Sequence, residues 1–170
     1  MTTEIWKDIP GYEGAYQASS LGRIRSLDRY VNCRSGYKRL ARGRILRPGQ
    51  YCKSGHVSVV LKRGTGGKPV HQLVALAFIG PRPEGADIRH LDGDPKNNAV
   101  SNLVYGSRTE NILDVYRIGK VWRKLSTSDV LEIRELLKDD VRVKDIAGRY
   151  GVSPSAIHWI KTGGHFSWLE

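Results

Sequence analysis

Apolar and polar positions follow three different rhythms along the chain. Up to about residue 52 the apolar residues are scattered (Tyr12, Tyr16, Ile24, Leu27), and turn residues separate them at Pro10-Gly11, Glu13-Gly14, Ser19-Ser20 and Gly22. That is the punctuation of short strands rather than of helix. Residues 55–62 read G-H-V-S-V-V-L-K, an alternating β-branched run, and G-T-G-G before Pro69 closes a hairpin over 53–70. His71 then leads into L-V-A-L-A-F, apolar on every side, which predicts a buried helix. A loop, P-R-P-E-G, precedes a short strand over 86–91 that delivers His90. A turn rich in Asp, Gly and Asn follows (Asp92, Gly93, Asp94, Asn97, Asn98), then a strand containing Leu103 and Val104. A helix is expected from Ser107 to about Ile118, because Ser107 with Glu110 three residues later makes a capping box. The last 45 residues carry helical spacing. Ser126 with Asp129 caps V-L-E-I-R-E-L-L, and a second helix containing Ile146 and Ala147 ends at the tight turn Gly151-Val152. Ser153 caps a third, with Pro154 at its first position.

Charge adds a partner. The chain of 170 residues carries net charge +11 and a pI near 9.9, which favours a polyanion. Between Arg23 and Lys53 stand ten basic residues and one acid, Asp28. A β-ribbon or ordered loop there is expected to track DNA phosphates, through Arg23, Arg25, Arg39, Arg42, Arg44 and Lys53. The last two helical segments resemble a helix-turn-helix, whose second helix enters the major groove. Its outward positions include Ser155, His158 and Lys161, with Ala156 and Trp159 beside them. Charge is nearly balanced in this part, so phosphate attraction is assigned to residues 1–60, with eleven basic residues against four acidic. Cys33 and Cys52 form no C-x-x-C pair, which excludes a cysteine zinc knuckle and leaves two thiols expected to be reduced. The longest apolar run, 73–79, is too short to span a bilayer, and the N-terminus shows no leader pattern. A cytoplasmic location and no membrane partner are therefore expected.

The predicted strand, turn, strand and helix over 86–118 bring His90, Asn102 and Asn111 together. This set suits phosphodiester hydrolysis. A neutral imidazole takes a proton from water near pH 7, and does so better when its other ring nitrogen is held by an acceptor. An asparagine amide is a hard oxygen ligand of the kind Mg²⁺ accepts. Asn97 and Asn98 read as turn residues. His71 reads as a core or supporting histidine, the alternative being a metal or phosphate contact.

These residues resemble the HNH nucleases with a ββα-metal core, especially the phage intron-encoded HNH homing endonucleases. W-K-D-I-P-G-Y-E-G-A-Y-Q-A-S-S-L-G-R-I-R-S-L is similar to the module that often precedes that core. V-H-Q-L-V-A-L-A-F and R-H-L-D-G-D-P-K-N-N-A-V-S-N-L-V-Y-G-S-R-T-E-N are similar to the core itself. The resemblance implies an α+β fold in three parts: a β-rich basic module over 1–52, the nuclease core over 53–119, and a linker with the helix-turn-helix over 120–170. It implies His90 as general base, Asn102 as the residue that orients it, and Asn111 as the ligand of Mg²⁺ or Mn²⁺. Where the intron-encoded relatives place a metal-binding aspartate, this chain has Arg89, and arginine cannot ligate a cation. Arg89 is then either a clamp on the scissile phosphate, as in some other ββα-metal nucleases, or the mark of a decayed site. The expected function is a metal-dependent endonuclease that cuts or nicks double-stranded DNA, as a monomer on an asymmetric site. The alternative is a DNA-binding regulator built on an impaired nuclease core.

Overall fold

A computed structural model describes residues 3–33, 36–50, 52–62, 64–119 and 124–169. Most of the linker expected at 120–124 therefore lies outside the described residues. The chain divides into two compact units, Met1–Asn111 and Ile112–Glu170.

In the first unit, β1 (Trp6–Asp8), β2 (Tyr16–Ser19) and β3 (Ile24–Ser26) form an antiparallel meander. Next, β4 (Arg29–Asn32) and β5 (Lys38–Ala41) pair with each other as a separate ribbon, and β6 (Arg44–Ile45) returns to the edge of β3. A second small sheet has the order β7 (Gly49–Gln50), β8 (Val57–Val59), β9 (Lys68–Pro69). The strand expected over 55–62 is thus only three residues long. Val60 turns out to solvent while Val59 and Leu61 are buried.

The all-round apolar run becomes helix α1 (Val70–Phe78). Pro69 precedes it, with its ring-fixed φ of −58° and no N–H to satisfy at the helix entrance. The chain leaves α1 through Gly80 at φ 113°, a conformation side-chain-bearing residues rarely adopt. The helix packs against β2, β8, β9, the strand β10 (Asp87–His90) and the strand β11 (Leu103–Gly106). The alternation of the first sheet explains why: Tyr16, Ala18 and Ile24 point inward while Trp6, Gln17 and Arg25 share the outer face. One hydrophobic cluster joins Ile9, Tyr16, Ala18 and Ile24 to Val59, Leu61, Val70, Leu73, Val74 and Leu103. The sequence suggests a boundary near residue 52, but the cluster runs across it. Each large side chain in it contributes about 1.5–3 kcal/mol by burial, so the N-terminal sheet is part of the core's support. Two backbone contacts carry that support toward the Asp- and Asn-rich loop. Val100 N donates to the Ser20 carbonyl at 3.0 Å. Gly22, at φ 84°, lies so close to Asn98 that a Cβ on it would stand 2.6 Å from the Asn98 carbonyl carbon.

After β11 the chain enters helix α2 (Arg108–Arg117). The expected capping box is present. Glu110 N donates to Ser107 Oγ at 3.2 Å and Ser107 N to the Glu110 carboxylate at 2.7 Å.

The second unit is built from α3 (Thr127–Lys138), α4 (Val143–Tyr150) and α5 (Pro154–Lys161) around Val130, Ile133, Ile146, Ala147, Ile157 and Ile160. Ser126 and Asp129 cap α3 reciprocally. Gly151 ends α4 in the left-handed region at φ 63°, and Ser153 caps α5 with Pro154 at its first position. No helix among the described residues is long and apolar enough to cross a membrane.

Substituting Gly22→Ala should destabilise the first unit by more than about 1 kcal/mol, through both the positive φ and the clash with Asn98. Gly49→Ala, where nothing lies within 4 Å of the new Cβ, is the matched control. Equal denaturation midpoints for the two variants would contradict the close packing of the Gly22 turn.

Candidate active site and nucleic-acid interface

His90 ends β10 paired with Leu103, and is buried. Its Nε2 lies 3.3 Å from Asn98 Oδ1. Asn98 is 4% exposed, and its amide nitrogen donates to the Lys96 carbonyl at 3.0 Å, which turns the amide oxygen toward the imidazole. The contact assigns the proton to Nε2 and leaves Nδ1 as the basic nitrogen. Asn102, expected to orient His90, is engaged elsewhere. Its Oδ1 accepts from Asp92 N at 3.0 Å, and its Nδ2 donates to Asp92 Oδ1 and to the Asn97 carbonyl, each at 2.8 Å. Both amide donors are used in closing the loop that carries Asn98. Asp92 also accepts from Asp94 N and Asn97 Nδ2, at 2.8 and 2.6 Å. These bonds, the one from Asp94 N first, hold its carboxyl below the ordinary carboxylate range.

Two more histidines stand against His90. The His71 and His56 ring centroids are each 5.5 Å from that of His90, and 4.7 Å from each other. His56 was not singled out by sequence, because it sits in a β-rich run far from the motif. Its Nδ1 meets Ser54 Oγ at 2.8 Å. His71 projects from the buried side of α1, and its Nδ1 is buried with no hydrogen-bond partner. Burial, with His56 and His90 adding repulsion, pushes its pKa down to about 4. His56 is lowered as well, by burial first and His90 second. Among the described residues no group of three or more His, Cys, Asp or Glu side chains is arranged to hold a metal ion.

Arg89 lies on the opposite face of β10 from His90, as strand alternation requires. It is 8% exposed, packs over Gly106, and meets the Glu110 carboxylate at 3.1 Å. It thereby ties β10 to the first turn of α2. Asn111, the next residue of that turn, is half-buried, and its N–H donates to the Ser107 carbonyl at 3.1 Å.

The basic residues named from sequence separate into two kinds. Arg23 pairs with Glu4, Arg42 with Asp28, and Arg25 stacks over Trp6 at 4.2 Å while donating to Gln17. Arg39, Arg44 and Lys53 are exposed on β5, on β6 and in the turn before β8. Surface pairs of this kind contribute little stability, so the paired arginines remain exchangeable for a phosphate partner. In the second unit, Ser155, His158 and Lys161 are exposed on α5.

The neutral His71 makes stability depend on pH. The unfolded chain takes up this proton near 6.5 and the folded chain only near 4. The stability tied to the neutral ring is therefore complete above 6.5 and is lost as pH falls toward 4, by up to roughly 3 kcal/mol. Denaturation of His71→Gln across that window should show a shallower acid loss than the parent chain. Parallel curves would mean His71 titrates normally.

The NUMOD4 motif matches residues 4–62, and the HNH endonuclease family model matches residues 68–113. The DNA endonuclease I-HmuI of Bacillus phage SP01 is 35% identical over 109 residues, 63% of this chain and 55% of that protein. YosQ, a SPbeta prophage-derived protein of Bacillus subtilis (strain 168) named as an HNH homing endonuclease, is 43% identical over 58 residues, 34% of each chain. The match to I-HmuI thus spans about half of that relative's length, and the match to YosQ about a third. A solved structure described as "DNA binding and cleavage by the HNH homing endonuclease I-HmuI" superposes with TM-score 0.50 at 26% identity, covering 94% of this chain and 90% of that one. Residues 68–113 thus match the HNH endonuclease family model, with a NUMOD4 motif matched before them at residues 4–62.

Proposed function

We propose that the chain is an endonuclease that hydrolyses phosphodiester bonds of double-stranded DNA with a divalent metal ion, as HNH endonucleases generally do, and that His90 is its general base. The observation that supports this reading is the Asn98 contact: an amide oxygen facing Nε2 favours the proton there and leaves Nδ1 as the nitrogen that would take a proton from water. The lowered pKa of its neighbours, His56 and His71, favours their neutral forms beside His90.

Asn111 as the protein's donor fits a hard cation held loosely. Asn111 offers a neutral amide oxygen at the start of α2, and Arg89 adds no ligand. Mg²⁺ suits such a site, since it keeps several waters and takes its other ligands from phosphate oxygens, and Mn²⁺ accepts the same oxygen donors. A bound ion would supply Lewis-acid stabilisation of charge on the phosphate and leaving oxygen. Arg89 acts as a brace between β10 and Glu110 that sets Asn111, rather than as the phosphate clamp its sequence position suggests.

The outer face of the first sheet, with Arg23 and Arg25 beside Trp6, and the exposed Arg39, Arg42, Arg44 and Lys53, supply the phosphate contacts. The pair α4 and α5 acts as a helix-turn-helix, with Ser155, His158 and Lys161 on the reading helix. With two unlike readers in one chain, the protein acts as a monomer on an asymmetric site.

Single-turnover cleavage of duplex DNA in Mg²⁺, with an EDTA control, tests this reading. His90→Ala should slow cutting by about 10²- to 10⁴-fold and leave DNA affinity intact. Asn98→Ala should slow it by about 10- to 10²-fold, the range found when an outer hydrogen bond that fixes a functional histidine is lost. Arg89→Asp should also lower it, by setting two carboxylates together at the start of α2. A parent chain that binds DNA but shows no EDTA-sensitive cutting would favour the regulator reading, and the Arg89 position would be its cause.

A further inference from the structure

Trp159 is 53% exposed on α5, an unusual place for a large aromatic side chain in a small helical unit. Its ring is nonetheless held. It lies directly on Gly164, where an added Cβ would fall 2.2 Å from Trp159 Cε3, and it stacks on the His165 ring at 5.8 Å with planes 20° apart. His165 N donates to the Trp159 carbonyl at 3.0 Å. The segment beneath the ring is itself anchored. Arg134 of α3 donates to the carbonyls of Phe166 and Leu169, and the Phe166 and Trp168 rings pack on Tyr116. Phe166 adopts φ 58°, a strained value that these contacts hold. The result is an aromatic plane fixed before any partner arrives.

Its surroundings indicate the partner. α5 carries no acidic residue; His165 stacks on the ring, and His158 and Lys161 are exposed on the same helix. A rigid apolar plane on a helix that also exposes hydrogen-bond donors and a positive charge matches the floor of a DNA groove, where a thymine C5-methyl is an apolar patch between phosphate rows. We propose that Trp159, held by Gly164 and His165, is a base-reading contact that packs on thymine methyl groups in the DNA groove entered by α5. This rests on the reading of the chain as a DNA-binding nuclease, and it adds a specificity-determining residue and the base feature it recognises.

The test uses the full chain in EDTA, so that nothing is cut, and selects duplexes from a random library by binding. Wild type should enrich a site containing at least one thymine whose replacement by uracil weakens binding about tenfold, the scale of losing one base-pair contact. Trp159→Ser should still bind duplex but lose preference at that position and become indifferent to uracil. Gly164→Ala touches no DNA, yet should give the same loss by displacing the ring. Circular dichroism and melting of both variants check that the unit remains folded. An unchanged preference in Trp159→Ser would overturn the inference, as would a Gly164→Ala protein that reads thymine normally. A wild-type chain that binds no duplex would instead overturn the DNA-binding reading on which it rests, so the two failures are distinguishable.

Discussion

The contact between His90 Nε2 and Asn98 Oδ1 is the constraint around which the first unit is built. An imidazole can serve as a base from either nitrogen, and which one is decided by the hydrogen bond at the other. Here that bond comes from a loop with no regular structure of its own, so the loop must be fixed by other means. Asp92 and Asn102 close it from within, through three hydrogen bonds between side chains and backbone and one between their own side chains. The N-terminal sheet presses on it from outside, through Gly22 and the Ser20 carbonyl. The hydrophobic cluster under α1 then holds sheet and hairpin together. Precision at one imidazole thus rests on burial some distance away, and a destabilised sheet would be felt at His90.

The interior around His90 has a cost of its own. Three imidazoles share a small volume, one with a buried nitrogen that has no partner. Burial favours the neutral forms of His56 and His71, so acid works against this packing. On the other face of β10 the Arg89–Glu110 pair uses charge in the opposite way. Its guanidinium is buried while the carboxylate stays half in water, which lowers the desolvation penalty for the acid.

What the sequence made legible was local. Strand spacing placed β10 and β11, the apolar run gave α1, capping residues marked α2 and α3, and Gly151 with Ser153 and Pro154 set the turn before α5. The place of His90 at the end of β10 was legible from the short strand before the Asp- and Asn-rich turn. The choice among Asn97, Asn98 and Asn102 was not. All three suit a turn, and only loop closure decides which amide faces the ring. His56 was missed because its place beside His90 is created by packing on α1 and not by proximity along the chain. Counting charges identified the basic surface but could not reveal that Arg23, Arg25 and Arg42 already have partners. The boundary near residue 52 followed a change in composition, and composition carries no information about which side chains share a core.

The imidazole nitrogen resonances of ¹⁵N-labelled protein at neutral pH test the account most directly. It predicts that the neutral His90 ring carries its proton on Nε2, and that Asn98→Ala turns this single tautomer into a mixture while Asn102→Ala disturbs it only by loosening the loop. A His90 protonated on Nδ1, or a tautomer unchanged by loss of Asn98, would contradict it.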